Sequence, residues 1–149
     1  MQKLSNTIDK LGNPIEIWHS PNIQYTPCVS LFLRVYAELI DKDWAPASFP
    51  FKPTNRVVWI QDPAGVVLAG IAYEYMAEQR NGYLVLSFTN PEYRGRGLNE
   101  ICHNCYEADC KKLGAVILSS LVAVDNVSRI RSAEKVGMLP KFYRMQKNI

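Results

Sequence analysis

The sequence predicts one α/β domain, residues 1–149, built as a mixed sandwich of strands and helices. Segments of strand length, with alternating or continuous apolar residues, are interleaved with segments whose apolar residues recur every three to four positions. Short turns containing Pro, Gly, Asn and Asp separate the middle strands. The 149 residues, 48% of them hydrophobic and 21% charged, suit one core of an ordinary globular protein.

A strand and a helix are the first predicted elements. Residues 15–19 alternate between apolar and polar side chains, which is typical of a half-buried strand. The apolar side chains of residues 28–41 recur at helical spacing. Residues 45–55 contain three prolines and two phenylalanines, and this composition predicts an extended loop.

Three antiparallel strands are predicted next, over residues 56–61, 66–76 and 83–88. The segment between the first two, Asp62–Gly65, has Pro and Gly in positions that suit a tight turn. The segment before the third, residues 80–82, contains an Asn-Gly pair, a frequent hairpin turn.

Helices and strands alternate in the prediction for the last third of the chain. Gly114 and Gly137 each follow a run with helical periodicity and mark the end of a helix. The predicted elements are a helix over 97–113, a buried strand over 115–122, a helix over 126–136 and a final strand over 139–145.

The segment that joins the third antiparallel strand to the next helix is the strongest functional signal. In this segment the glycine loop, residues 94–97, has Arg96 between Gly95 and Gly97, so the backbone can turn tightly and expose its N–H groups. The start of the helix adds unpaired N–H groups and the positive end of the helix dipole. With the guanidiniums of Arg94 and Arg96, this corner is suited to bind a diphosphate.

The same segment resembles the acyl-CoA pyrophosphate signature of the GNAT superfamily of N-acetyltransferases. In that signature Gln or Arg is followed after two residues by Gly and, one residue further, by Gly or Ala. Arg94, Gly97 and Asn99 stand at these positions. Residues 125–138 are similar to the family's second motif, which runs from Asn to Glu-Lys-x-Gly-Phe, with Met138 replacing the Phe. The resemblance implies the GNAT (acyl-CoA N-acyltransferase) fold, a mixed, mostly antiparallel sheet with helices on both faces.

Acetyl-CoA is the co-substrate that this resemblance implies, with two strands separating to admit its pantetheine arm. The backbone of Leu86, Ser87 and Phe88 would face the acetyl and pantetheine groups, with an N–H near Phe88 as oxyanion donor. Asn126 would bond the pantetheine arm or a phosphate; it also suits a helix cap, and both roles can hold together. The pyrophosphate would be held by Arg94, Gly95, Arg96, Gly97, Leu98 and Asn99.

Proton transfer is less clearly marked in the sequence than cofactor binding. A lysine-like amine has a pKa of about 10.4 and must lose a proton before it attacks. Glu74 and Asp125 are candidate acceptors, and water relayed by serines is an alternative. Ala133 stands where many family members place a tyrosine general acid, so Tyr143 is the candidate donor to the leaving thiol.

Three of the four cysteines lie in the predicted helix 97–113. Cys102, Cys105 and Cys110, with His103, have the composition of a zinc site, but structural zinc usually takes a second pair of ligands from elsewhere. An apolar face of the same helix collects Leu98, Ile101, Cys102, Cys105 and Ala108. We interpret the cysteines as buried free thiols in a reducing, cytoplasmic compartment, and we expect no metal.

Charge and hydropathy restrict the partners. The 17 basic and 14 acidic residues give a net charge of +3, which is too small to predict nucleic-acid binding. Residues 1–10 lack the apolar core of a signal peptide, and the longest apolar stretch, 115–124, is of strand length. No membrane span is therefore predicted, and a homodimer is left open.

The predicted function is an N-acetyltransferase that moves an acetyl group from acetyl-CoA to a primary amine of a small molecule or a protein. The alternative is a non-catalytic acyl-CoA-binding or interaction module with the same fold, which the missing tyrosine at Ala133 favours slightly. Four aromatic side chains could line an acceptor pocket or pack in the core: Trp18, Trp44, Phe49 and Phe51.

Overall fold

A computed structural model describes residues 1–45, 52–147 and 149. These residues form a six-stranded sheet whose strands follow one another in chain order. All neighbouring strands are antiparallel except the last two, which are parallel. This arrangement confirms the predicted mixed, mostly antiparallel α/β fold. The strands are β1 Gln2–Ile8, β2 Pro14–Ser20, β3 Arg56–Gln61, β4 Val67–Met76, β5 Asn81–Thr89 and β6 Ile117–Ser120.

Helices cover both faces of this sheet. They are α1 Val29–Asp41, α2 Leu98–Leu113 and α3 Val127–Lys135, with short 3₁₀ helices at Ile23–Tyr25 and Pro91–Tyr93. Successive side chains of β3 point to opposite faces, so Val58 and Ile60 pack in a core with α2, whereas Val57 and Trp59 pack in a core with α1. The α2 helix fills its core with one side chain every four residues, namely Leu98, Cys102, Tyr106 and Cys110.

A β-bulge at Val85 changes the direction of β5. Tyr73 of β4 pairs with Leu84, and the preceding Ala72 pairs with Leu86, so Val85 is an extra residue in the ladder. Leu84 therefore packs in the α2 core, while Leu86, only two residues further, packs in the α1 core. The bulge bends the strand and reverses which face its side chains occupy.

β5 and β6 separate immediately before this bulge. β6 pairs with residues 81–84 of β5 and not with residues 85–89. In the described part of the chain, one backbone edge of 85–89 therefore has no strand beside it. This is the opening between two strands that the resemblance implies.

The first strand, β1, is missing from the sequence-based prediction. All seven of its side chains are exposed, and it is held to the sheet by antiparallel backbone pairing with β2. Such a strand leaves no alternation of buried and exposed side chains, so the hydrophobic pattern carries no signal for it.

Two predictions for the C-terminal part of the chain are wrong. No strand forms over 139–145, where Phe142, Tyr143 and Met145 are 96%, 84% and 90% exposed. The strand predicted over 115–122 is shorter and not buried: β6 has four residues, and Ile117 is 54% exposed. Because no strand forms over 139–145, β6 is the outermost strand among the described residues, and no neighbour covers its outer edge.

The last two expectations from the sequence concern the loop 45–55 and membrane spans. Residues 46–51 of the predicted loop 45–55, including Phe49 and Phe51, lie outside the described residues. Among the helices that are described, none is long and apolar enough to cross a membrane.

Candidate active site

The glycine loop lies between the end of β5 and the start of α2. Gly95 and Gly97 have positive φ angles of 79° and 74°, which favour glycine. Gly97 immediately precedes α2 and provides no side-chain cap for its first turn. In the described part of the chain, the N–H groups of 95–97 donate to no backbone carbonyl. The loop thus presents backbone donors at a helix N-terminus, an arrangement that binds phosphate oxygens.

The two arginines of the glycine loop have different surroundings. Arg94 is exposed. Arg96 is ion-paired with Asp9 and lies 5.1 Å from the centre of the Tyr93 ring. The Arg96 carbonyl also accepts a hydrogen bond of 3.1 Å from the backbone N–H of Lys10. Arg96 therefore connects the glycine loop to the β1–β2 turn, and Arg94 is the guanidinium better placed to meet a ligand.

Asp9 organises the β1–β2 turn around its carboxylate. The carboxylate accepts hydrogen bonds from the backbone N–H groups of Leu11 at 2.8 Å and Asn13 at 2.9 Å. Burial by itself would raise the pKa of Asp9, but the hydrogen bonds from Asn13, Arg96 and Leu11 lower it to about 2. The turn also brings Lys10 against the glycine loop. The Cβ of Lys10 lies 3.6 Å from the position that a Cβ added to Gly97 would take. No sequence pattern predicts this contact, because residues 10 and 97 are distant along the chain.

The remaining predicted cofactor residues differ in what they can offer a ligand. Ser87 Oγ donates to Asn99 Oδ1 at 2.8 Å, so the Asn99 side chain faces the sheet. Leu86 and Leu98 are buried in the two cores, which leaves only their backbone atoms for a ligand. The Phe88 ring packs edge-on against an α1 ring, with centroids 6.4 Å apart.

Asn126 lies at the start of α3, where its side chain caps the helix. Its Oδ1 accepts a hydrogen bond of 3.2 Å from the backbone N–H of Arg129. The predicted capping role is therefore confirmed. The carboxamide NH₂ of Asn126 has no partner among the described residues and can still donate to a ligand.

The three predicted proton-transfer residues lie apart from one another. Glu74, on β4, is 3.7 Å from Lys52 Nζ and pairs in register with Tyr83 of β5. Asp125 is exposed in the turn before α3. Tyr143 is 84% exposed in the C-terminal segment. Glu74 is thus the only one of the three within the sheet.

Polar side chains gather around Glu74 where β5 and β6 still pair. Asn81 Nδ2 donates to Ser119 Oγ at 2.8 Å, and Ser119 Oγ donates to Asn81 Oδ1 at 3.0 Å. Tyr83 pairs in register with both Glu74 and Ser119. Burial raises the pKa of Tyr83 and of Tyr36 on α1. These hydroxyl, amide and carboxylate groups form a polar surface next to the strand opening.

A half-buried ionic cluster fixes α2 on the sheet. Asp109 of α2 accepts hydrogen bonds from Arg56 Nε at 2.7 Å and from Tyr73 OH at 2.6 Å, and its Oδ2 is 3.5 Å from His19 Nε2. Burial would raise the pKa of Asp109, but hydrogen bonds from His19, Arg56 and Tyr73 hold it well below its usual range. One carboxylate thereby joins α2 to β2, β3 and β4 and sets the position of the glycine loop at the other end of the helix.

The cysteines of α2 lie in or beside its core. Cys102 and Cys110 are buried and Cys105 is half-buried, and all four cysteines of the chain are free thiols. Burial raises the pKa of Cys28 and Cys110 to about 12, which keeps these thiols protonated and unreactive. Within 1–45, 52–147 and 149, no group of three or more His, Cys, Asp or Glu is placed to hold a metal ion.

Comparisons with solved structures reveal the same fold in several acetyltransferases. The ribosomal-protein-alanine N-acetyltransferase from Brucella melitensis aligns with a TM-score of 0.64 and 9% identity, covering 91% of this chain and 99% of its own. Aminoglycoside N-acetyltransferase AAC(6′)-Iy in complex with CoA aligns with a TM-score of 0.61 and 13% identity, covering 88% and 99%. A variant of the BH1408 protein from Bacillus halodurans gives 0.70 and 14%, covering 89% and 98%. At these identities the likeness concerns the fold.

Sequence comparison identifies the family. A comparison with curated protein sequences gives no significant match. The sequence profile of the Acetyltransferase (GNAT) family, however, matches residues 21–138. This range includes the glycine loop, the strand opening and the capped start of α3, and it covers well over half of the chain. The chain therefore belongs to the GNAT acetyltransferase family.

Proposed function

We propose that the protein is an acetyl-CoA-dependent N-acetyltransferase acting on a primary amine. The observation that carries this proposal is that two suitable features adjoin each other along the chain. The glycine loop offers backbone donors for a pyrophosphate. Directly before it, residues 85–89 of β5 present a backbone edge that no other described strand covers, along which a pantetheine arm can lie. The family match and a neighbour in complex with CoA support the same cofactor.

In this proposal the chain contributes position and backbone dipoles more than reactive side chains. Residues 94–99 hold the pyrophosphate, with Arg94 supplying positive charge. The carboxamide NH₂ of Asn126 donates a hydrogen bond to the pantetheine arm. The backbone of Leu86, Ser87 and Phe88 orients the thioester, and one of its N–H groups stabilises the oxyanion. The amine nitrogen forms its bond to the acetyl carbon as the C–S bond breaks. The proton lost by the amine ends on the departing sulfur, so CoA leaves as the free thiol.

The polar surface around Glu74 is the proposed acceptor side. Glu74, Tyr83 and the Asn81–Ser119 pair provide groups that can bind a cationic amine and relay its proton through water. Since the predicted candidates do not converge, we expect no single side chain to be indispensable. Glu74→Gln, Asp125→Asn and Tyr143→Phe should each lower kcat by less than about a hundredfold. A thousandfold loss in one of them, with unchanged affinity for acetyl-CoA, would identify that residue as the catalyst instead.

The decisive test is thiol release from acetyl-CoA in the presence of an amine panel. The panel should include an aminoglycoside and a peptide with N-terminal alanine. One structural neighbour is named an aminoglycoside acetyltransferase and another a ribosomal-protein-alanine acetyltransferase. Release that depends on the amine and yields the acetylated product supports the proposal. Binding of acetyl-CoA without turnover of any amine would favour the non-catalytic module, which Ala133 and the scattered candidates make the second hypothesis.

Cellular setting and assembly are part of the same proposal. Four free thiols suit a reducing, cytoplasmic compartment. A homodimer interface would bury the apolar side chains of Phe142 and Met145, which are exposed in the single chain. Sedimentation velocity checks this point: we expect a dimer that Phe142→Asp converts to a monomer, and a wild-type monomer at all concentrations would refute it.

A further inference from the structure

α2 carries a buried polar side chain that the fold leaves unsatisfied. His103 is 2% exposed, and among the described residues neither Nδ1 nor Nε2 has a hydrogen-bond partner. Burial of an unpaired polar group costs folding free energy, so its presence in a folded protein requires an explanation, such as a ligand that pairs with it. Its ring contact with Tyr106, with centroids 5.3 Å apart, satisfies neither nitrogen.

A second unsatisfied donor comes from the first turn of α3. Arg129 Nη1 donates to Ser132 Oγ at 3.0 Å, but within the described chain the buried Nη2 has no partner. Burial lowers the pKa of His103; Glu107 opposes this effect, and the charge of Arg129 adds to it. The charge of Arg129 thus acts on the imidazole of His103, which the lowered pKa keeps neutral at physiological pH.

Hydrogen bonds on either side locate His103 along β5. Asn99, about one turn earlier, accepts from Ser87 Oγ at 2.8 Å, and Tyr106, about one turn later, donates to the Gly82 carbonyl at 2.6 Å. Positions 99, 103 and 106 share one face of the helix. His103 must then lie over the part of β5 between these two anchors. That part contains both the β-bulge and the point where β6 departs.

We infer that His103 and Arg129 form a binding site for the departing thiolate of CoA. This inference rests on the proposed function, which brings the thioester to the strand opening. Within the described chain, Arg129 Nη2 and the imidazole N–H are both donors without an acceptor, and a thiolate is an anionic acceptor. Ala133, one turn after Arg129 on the same helix, has no hydroxyl to serve this purpose.

The chemical step balances without a further reactant. As the amine nitrogen bonds to the acetyl carbon, the C–S electron pair passes to sulfur, where the two donors stabilise it. The proton released by the amine then reaches the sulfur and gives the free thiol. Neither His103 nor Arg129 changes its protonation state overall, so their role is to hold the anionic sulfur.

Calorimetric titration with CoA and with acetyl-CoA, from pH 6.5 to 9.5, tests this site without knowledge of the acceptor. Groups that contact the phosphates affect both ligands alike, whereas only CoA carries a thiol that titrates. A free thiol has a pKa of about 8.5, and each unit by which the site lowers it is a tenfold change in relative affinity. We expect the affinity for CoA, divided by that for acetyl-CoA, to rise about tenfold across this range in the wild type.

Variants assign the effect to the two side chains. Arg129→Met and His103→Leu should each reduce the rise, and Arg129→Lys and His103→Gln, which keep a donor, should retain more of it. Arg131→Met is the matched control, because Arg131 is exposed two residues further along α3 and should leave the rise intact. A rise that persists fully in both Arg129→Met and His103→Leu would overturn the assignment.

The wild-type titration is decisive even where a variant fails to fold. If both ligands bind with a ratio that does not change with pH, the thiolate site is refuted while the proposed function stands. If neither ligand binds, the proposed function fails, and the thiolate site fails with it.

Discussion

Asp109 illustrates how much of the site's geometry depends on single half-buried side chains. Its carboxylate accepts from Arg56 and Tyr73 and adjoins His19, one residue from each of three strands. Sequence reasoning did not find this cluster, because its members are scattered over 90 positions and none has an unusual sequence context. The glycines at 95 and 97, by contrast, were predictable, because the need for positive φ restricts those positions to very few residue types.

Arg56→Met should destabilise the protein by about 1–3 kcal/mol, because it leaves the half-buried Asp109 carboxylate without its charged partner. Chemical denaturation with urea measures this loss. Lys111→Met is the control: it removes the exposed partner of Glu107 in an i,i+4 pair and should cost about 0.3–0.5 kcal/mol. Equal losses in the two variants would show that the Asp109 cluster contributes no more than a surface pair.

His103 should make stability depend on pH in a defined window. Its pKa is lowered in the folded state, so the unfolded chain binds a proton first, near the ordinary value of about 6.5. The free energy of unfolding should be fully retained above that pH and fall as the pH drops from 7.5 to 5.5. His103→Gln should flatten this part of the profile. An identical slope in both proteins would indicate that His103 titrates as in water.

At the scale of elements, hydrophobic periodicity predicted those helices and strands that have a buried face. α1, α2, α3 and the strands β2 to β5 all appear within a few residues of their predicted positions. The apolar run 115–122 did predict a strand, but β6 is shorter and more exposed than predicted. β1 is an exposed edge strand, and its formation depends on backbone pairing that no side-chain pattern records. The bulge at Val85, which positions the opening, escaped prediction for the same reason: it is a property of two paired strands.

Close contact between β5 and α2 can be tested at Gly82. A Cβ there would lie 2.5 Å from Cys110 Sγ and 2.8 Å from Leu118 Cδ2, so Gly82→Ala should cost about 1–3 kcal/mol through overpacking. The measurement is urea denaturation of the variant. Adding Cys110→Ala should recover part of this loss by making room. If the two changes are simply additive, the contact does not limit how close α2 can approach.

At the scale of the whole molecule, the sheet separates two chemical sides. On the α2 side lie the glycine loop, at the start of that helix, and the inferred thiolate site of His103 and Arg129; on the α1 face lies the polar surface around Glu74. The opening between β5 and β6 connects the two sides. The sequence predicted the loop and the cap from local motifs, but the identity of the acceptor depends on three-dimensional contacts that no motif specifies.

Isothermal titration with acetyl-CoA tests the central claim most directly. We predict saturable binding by the wild type and, at about a hundred times the dissociation constant, a stabilisation of roughly 2.7 kcal/mol in a thermal scan. Gly97→Val should lose far more affinity than Arg96→Ala, because a side chain at Gly97 blocks backbone approach, whereas Arg96 is already bound to Asp9. Gly137→Val, a similar positive-φ glycine beyond α3, controls for strain alone. Absence of binding to the wild type at millimolar acetyl-CoA would contradict the account.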